Sequence, residues 1–176
     1  MIFFSSDLHF NHDKDFIYRA RGFENIEQHN NRILLNFHQV VKPEDDLYLL
    51  GDTLMGDNDI SIRLFHQLPG KIHLLWGNHD TLKRQELLSN SYNVVEVLGY
   101  AHMMKISKQS FYLSHYPTLI GNYDNDKPLK RRLINLCGHT HTINKFSDFG
   151  EQGVIYHCEV DAHDMYPVSI DEIIDD

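Results

Sequence analysis

Proline and glycine are scarce in this chain, with 5 and 10 residues among 176, which excludes collagen-like and low-complexity classes. Cysteine is scarcer still, at 2 residues, too few for a disulfide scaffold. Cys137 and Cys158 sit in strand-like apolar runs and read as small buried thiols of a reducing compartment. No apolar run approaches the ~20 residues of a membrane span. The opening Met1-Ile2-Phe3-Phe4 lacks the charged leader of a signal peptide, so a cytoplasmic location is expected. Basic residues are outnumbered 16 to 25, giving a net charge of -9. That argues against a broad basic face gripping nucleic acid, which depends on neutralising phosphates. A small phosphate-bearing substrate stays open, because bound cations would invert the local potential.

The rest of the composition is ordinary for a globular protein, 41% hydrophobic and 23% charged, and the length suits one domain over residues 1–176. Histidine is the exception, at 13 residues, and imidazole is the commonest metal ligand. In the first half, Met1–Ser5, Leu47–Leu50 and Lys71–Trp76 read as short strands. Between them, Ile26, Ile33, Leu34, Phe37, Val40 and Val41 keep helical spacing, as do Ile60, Leu64, Phe65 and Leu68. Pro43 and Pro69-Gly70 stop these helices. Alternating strand and helix predicts parallel strands with crossover helices. The second half carries strand candidates at 94–98, 101–106, 110–113, 133–137 and 154–158, and one short helix near 82–88. That implies a mixed α/β fold with two sheets face to face.

Five of these strands run into polar residues of metal-ligand type. They are Asp7-Leu8-His9, Gly51-Asp52, Gly77-Asn78-His79-Asp80, Ser114-His115 and Gly138-His139-Thr140-His141. Ligands of open α/β sheets bind beyond the carboxyl ends of strands. Residues two apart on an extended chain share a face, so Asp7 pairs with His9 and His139 with His141. Oxygen and imidazole donors without thiolate suit Mn, Fe, Zn or Ni. A lone Asp-x-His or Gly-Asp carries no weight; all five strings in order do.

The ordered set Asp7-x-His9, Gly51-Asp52, Gly77-Asn78-His79-Asp80, His115 and Gly138-His139-x-His141 resembles the calcineurin-like metallophosphoesterase superfamily. Ser6-Asp7-Leu8-His9-Phe10-x-His12 and the stretch from Asp161 to Ser169 are similar to its small, single-domain, phage-type and bacterial branch. The resemblance implies a four-layer α/β/β/α sandwich and two divalent ions, manganese first. One ion would take Asp7, His9, Asp52 and His141, and the other Asp52, Asn78, His115 and His139, with Asp52 bridging. It implies hydrolysis of a phosphoester by a metal-bridging hydroxide attacking in line, with His79 beside the leaving group. The expected substrate is a small nucleotide-like phosphodiester or monoester. Met55 stands where the protein-phosphatase members carry an Asp, which argues against that activity and leaves His79 without that acidic partner.

Further candidates are weaker. His12 faces substrate or supports a ligand, with Asn11 beside it; Asn78 and Arg21 are also substrate-binding candidates, although a solvated surface role is the commoner fate of Arg19 and Arg21. Asp80 either orients His79 or caps the next helix. Asp161 would support a metal-bound histidine, while His38, His66 and His73 read as structural and His157 and His163 follow the last strand. The run Lys127-x-x-Lys130-Arg131-Arg132 is a solvated loop or a phosphate-contacting rim. Two other functions compete with the hydrolase: a nuclease or polynucleotide phosphatase, and a metal-binding scaffold without chemistry.

Overall fold

The computed structural model describes residues 1–119, 133–150 and 153–175. The Lys127–Arg132 basic run lies outside them. Strand β1 (Ile2–Ser5) is followed by a short helix α1 (Asp15–Tyr18) and the long helix α2 (Ile26–Val40). Strands β2 (Asp46–Leu50) and β3 (Lys71–Leu75) flank helix α3 (Asn58–Phe65), and helix α4 (Leu82–Ser89) leads to strand β4 (Val94–Gly99). Then come β5 (Ala101–Ile106), β6 (Gln109–Ser114), β7 (Ile134–Cys137), β8 (Phe146–Asp148) and β9 (Val154–His157). A 3-10 turn (Val160–His163), strand β10 (Val168–Ser169) and helix α5 (Ile170–Asp175) end the chain.

These strands form two five-stranded mixed sheets, ordered β10-β1-β2-β3-β4 and β5-β6-β7-β9-β8. In the first, β1 to β4 are mutually parallel and β10 is antiparallel. In the second, β6, β7 and β9 are parallel, with β5 and β8 antiparallel at the edges. The result is the α/β sandwich expected from the sequence, two mixed sheets flanked by helices.

Alternation along the strands explains the layers. Leu47, Leu49, Ile72 and Leu74 turn outward to meet Ile33 and Phe37 of α2, Phe65 of α3 and Leu88 of α4. Residues of opposite parity, Phe4, Leu50 and Leu75, turn inward against Phe111, Leu113, Leu136 and Tyr156 of the second sheet. Helix α2 starts where Asn25 caps it by accepting from the Gln28 N–H, and α3 starts where Asp57 accepts from Ile60 N–H. Among the described residues no helix is long and apolar enough to cross a membrane.

The parallel strands β1, β2, β3, β6 and β7 all end on one edge of the sandwich, and that edge carries the five polar strings. Of the ten strands among the described residues, eight lie within a residue or two of the runs expected from the sequence; β8 and β10, three and two residues long, are too short to show a period.

Candidate metal centre at the strand ends

After β1 and β2 the chain does not diverge into free loops. Asp7 N–H donates to Gly51 O (3.2 Å), His9 N–H to Asp52 O (3.1 Å) and Phe10 N–H to Thr53 O (2.9 Å), so the two ligand segments stay zipped together. Asp7, His9, Asp52, His139 and His141 all adopt positive φ, between 48° and 75°. Non-glycine residues there cost about 1–3 kcal/mol each and persist only where surroundings impose them, which is typical of functional sites. Gly77 and Gly138 leave room for this crowding: a Cβ on Gly77 would lie 2.2 Å from Asp52 Oδ1, and one on Gly138 would lie 2.0 Å from Ser6 Oγ.

Two groups of donors converge. Asp7, His9 and His141 form one, and Asp7, Asp52 and His115 the other, each with its ligand atoms within 4.8 Å of one another. His9 Nε2 and His141 Nε2 lie 3.6 and 3.7 Å from Asp7 Oδ1. Asp52 Oδ2 lies 3.3 Å from His115 Nε2 and 4.0 Å from both His9 Nε2 and His79 Nε2. The opposite carboxylate oxygens are already engaged. Asp7 Oδ2 accepts from Ser6 Oγ (2.6 Å) and His139 N–H (2.8 Å), and Asp52 Oδ1 accepts from His79 N–H (2.8 Å).

Asp7 Oδ1 and His9 Nε2 are buried and have no hydrogen-bond partner among the described residues. An unsatisfied buried pair is costly unless something fills the space between. A cation suits both atoms, so the residues present fit a divalent ion. Burial opposes ionisation of Asp7, but the imidazoles of His9, His115 and His141 outweigh it and hold the carboxyl well below its usual range. For His115, burial disfavours the charged form, yet Asp52 and Asp7 push it up to about 9. These carboxylates are ionised and hungry for positive charge.

The imidazoles are oriented from behind. His115 Nδ1–H donates to Leu50 O (2.9 Å), turning Nε2 toward Asp52 and to 2.9 Å from Asn78 Oδ1. His141 Nδ1–H donates to Asp161 Oδ2 (3.0 Å), turning Nε2 toward Asp7. A carboxylate or carbonyl behind a histidine in this way is the usual support of a metal ligand. The exposed His139 stands beside His115 and Tyr116, ring centroids 5.1 and 4.8 Å away, outside the two tight groups. His79 is 44% exposed over Asp52, free to meet a substrate.

Arg21 is not a solvated surface residue, though it also borders the cavity beside the cluster. Its side chain is buried and grips Asp161 with two hydrogen bonds, Nε to Oδ1 (2.9 Å) and Nη2 to Oδ2 (2.7 Å). It also donates to Asp7 O (2.9 Å) and to His29 Nε2 (2.8 Å). Arg19 is the exposed one, paired with Asp15. Asp80 neither orients His79 nor caps a helix. Its Oδ2 accepts from the N–H groups of Gly77 (2.7 Å) and Asp52 (2.9 Å), tying the β2 and β3 ends together, while Thr81 caps α4.

His12 and Asn11 part ways. Asn11 points away, donating to Asp57 O (3.4 Å), whereas His12 Nδ1 sits 3.1 Å from His9 Nδ1. Burial, then His9, His79 and Arg21, push His12 down to about 4. His66 pairs with Ser91, His73 lies between Asp46 and Glu96, and His163 donates to His157 O, all away from the cluster. The Arg21 partner His29 escapes a reading by motif. Its place one turn before Ile33 on the stripe Ile33–Phe37 of α2 was the available signal.

Beside the cluster lies a cavity of about 510 Å³. His9, His12, His79 and His141 line its inner end, and Phe16, Ile17, Met55 and Ile143 its outer wall. Phe16 and Ile143 are 69% and 81% exposed, large apolar groups held at the mouth.

No protein-family model matches the chain. An uncharacterised protein of Methanocaldococcus jannaschii is 28% identical over 175 residues, covering 98% of this chain and 89% of its own. A protein of unknown function from Aquifex aeolicus superposes with a TM-score of 0.72 at 26% identity, covering 98% of this chain and 97% of that one. A phosphoesterase from E. coli superposes with a TM-score of 0.52 at 20% identity, over 90% of this chain and 77% of that one. The chain thus shares the fold of a phosphoesterase sandwich.

Proposed function

We propose that the chain is a metal-dependent phosphoester hydrolase acting on a small nucleotide-like phosphodiester or monoester. The observation that carries this reading is the meeting of Asp7 Oδ1, His9 Nε2 and His141 Nε2 beside Asp52 and His115, with Asp7 Oδ1 and His9 Nε2 buried and unpartnered. The fold neighbour from E. coli is a phosphoesterase, which supports it. So does the motif Ser6-Asp7-Leu8-His9-Phe10-x-His12, which resembles that of the small phage-type and bacterial metallophosphoesterases.

In this reading Asp7, His9, Asp52 and His141 hold one ion, and Asp52, Asn78, His115 and His139 hold a second. Mixed oxygen and imidazole donors suit manganese, and also iron, zinc or nickel. Divalent ions held there supply Lewis acidity, acidifying water and drawing charge from phosphoryl oxygens. Their charge also outweighs that of Asp7 and Asp52, so an anionic substrate is drawn in despite the net charge of -9. His79 hydrogen-bonds or protonates the departing oxygen, the usual general-acid role of imidazole. Its backbone N–H on Asp52 Oδ1 fixes its place relative to the ligands. The apolar wall of Phe16, Ile17, Met55 and Ile143 accommodates the organic group of the ester and excludes water from the cleft.

The test is turnover of bis-p-nitrophenyl phosphate and p-nitrophenyl phosphate by chelator-stripped protein, before and after Mn²⁺ is restored. Manganese should switch on hydrolysis of at least one, the diester foremost. Protein that binds the ion and turns over neither is a scaffold, and the reading fails.

A further inference from the structure

His12 is not among the ligands, yet it touches one of them nitrogen to nitrogen. We propose that His12 accepts the Nδ1–H of His9, so that His9 keeps its Nε2 lone pair for the ion, and that His12 thereby presents its own Nε2–H to the cavity as a neutral donor to substrate. The inference rests on the metal reading above.

The two Nδ1 atoms lie 3.1 Å apart. Nitrogens at that distance share one hydrogen, carried by one ring and accepted by the other. Were His12 the donor, His9 would carry its hydrogen on Nε2. That atom is buried and lacks a partner; Asp7 Oδ1 and Asp52 Oδ2, at 3.6 and 4.0 Å, are both beyond hydrogen-bond reach. With His9 as donor, Nε2 becomes a lone pair facing the same point as Asp7 Oδ1 and His141 Nε2, and a cation satisfies all three. His115 and His141 already follow this pattern, each giving its Nδ1–H to a fixed oxygen acceptor behind it.

His9 differs in one respect: its acceptor is a second imidazole, which passes the choice of tautomer onward. Once His12 Nδ1 accepts, its hydrogen must sit on Nε2. The ring cannot easily turn away. It stacks on His9 with centroids 5.2 Å apart and planes at 20°, and presents an edge contact to Phe16 at 5.5 Å and 86°. It lines the same cavity as His79, whose ring centroid is 6.5 Å away. The two imidazoles therefore flank the space next to the ligands, His79 for the departing oxygen and His12 for an oxygen of the bound ester. Holding an ion at His9 and offering a donor from His12 become one event.

The test uses the full chain, stripped with chelator and titrated with Zn²⁺, which is diamagnetic. Calorimetry reads affinity, and long-range ¹H–¹⁵N correlation reads each imidazole tautomer. The variant His12→Asn puts an acceptor where Nδ1 stood but no donor at Nε2; His12→Phe keeps only the ring. Zinc should bind wild type and His12→Asn alike, and His12→Phe about 10–100-fold more weakly. In zinc-loaded wild type, His12 should be neutral with its hydrogen on Nε2. With bis-p-nitrophenyl phosphate, His12→Asn should raise KM roughly 3- to 10-fold at unchanged kcat. A hydrogen on His12 Nδ1 in the loaded protein, or zinc affinity in His12→Phe equal to wild type, overturns the brace. An unchanged KM in His12→Asn overturns the donor. Wild type that takes up no zinc overturns the metal reading and this inference with it, whereas zinc uptake with either contrary result overturns this inference alone. Should His12→Phe fail to fold, the wild-type spectrum decides.

Discussion

The two sheets supply the site by different means. The first delivers Asp7, His9 and Asp52 from strand ends that stay hydrogen-bonded to each other past the last strand residue, all nearly inaccessible. The second delivers a buried His115 from the end of β6, and His139 and His141 from an exposed turn after β7. That turn is held by side chains of the next segment. Glu159, fully buried, accepts from Thr140 Oγ1 (2.6 Å) and Thr142 N–H (3.3 Å), and Asp161 accepts from His141. Two bonds then stitch the sheets together through the site itself, His139 N–H to Asp7 Oδ2 and His115 Nδ1–H to Leu50 O. Ligands anchored by backbone are rigid before any ion arrives. Ligands anchored by side chains depend on their supports, so the comparison predicts unequal responses to mutation.

The largest effect should come from the rigid side. Asp52→Asn removes the carboxylate charge that lies 3.3 Å from His115 and 4.0 Å from His9, and metal analysis should show both ion positions depleted together. Loss at only one position would show that Asp52 is not shared. Next, His79→Ala should leave metal content unchanged while kcat falls about 10²- to 10⁴-fold. If elemental analysis found an ion missing as well, His79 would be a ligand.

The supported side should give way more gently. Asp161→Asn keeps the shape behind His141 but weakens its charge, and metal affinity should fall about 10- to 100-fold with the fold intact. An equal loss on replacing Ser6, the neutral partner of Asp7, would erase the distinction between the two sides. Gly138→Ala tests the seam between them. Its Cβ would meet Ser6 Oγ at 2.0 Å and Asp7 Oδ2 at 2.2 Å, so thermal or denaturant unfolding should show a loss of about 1–3 kcal/mol.

Last comes the brace behind Arg21, whose effect shows only as pH falls. His29 Nε2 accepts from Arg21 Nη1–H, so this imidazole works only while neutral. Burial, and then the Arg21 guanidinium, push it down to about 3 from an ordinary 6.5. The unfolded chain therefore binds the proton first, and stability contributed by the neutral form falls as pH drops below 6.5 and is gone near 3. His29→Gln should flatten the pH dependence of the unfolding midpoint in that window. An unchanged slope would remove His29 from the brace.

Much of this was legible in the sequence. The strand-end strings at Asp7, Asp52, Asn78, His115 and His139 could be read because parallel strands share a carboxyl edge, so topology alone gathers them. Helices α2, α3 and α4 were legible from apolar spacing, and Asp161 from its likeness to a supporting carboxylate. Arg21 reads from the sequence as a substrate contact or a surface residue because its partners, Asp161 and His29, lie 140 and 8 residues away and no local pattern announces either. Asp80 was misread for a related reason: local rules offer it a cap or a histidine, while its acceptor oxygen is claimed by N–H groups 3 and 28 residues distant.

The sequence by itself determined the order of the elements and the chemical identity of the donors, because both are set by local periodicity and residue type. Only the tertiary structure decided which atom of each donor is free. Asp7 Oδ1 and His9 Nε2 are left unpartnered because Ser6, His139 and His12 occupy the other atoms, and those neighbours are assembled from both sheets. A list of ligands is a property of the chain; a set of lone pairs aimed at one point is a property of the fold.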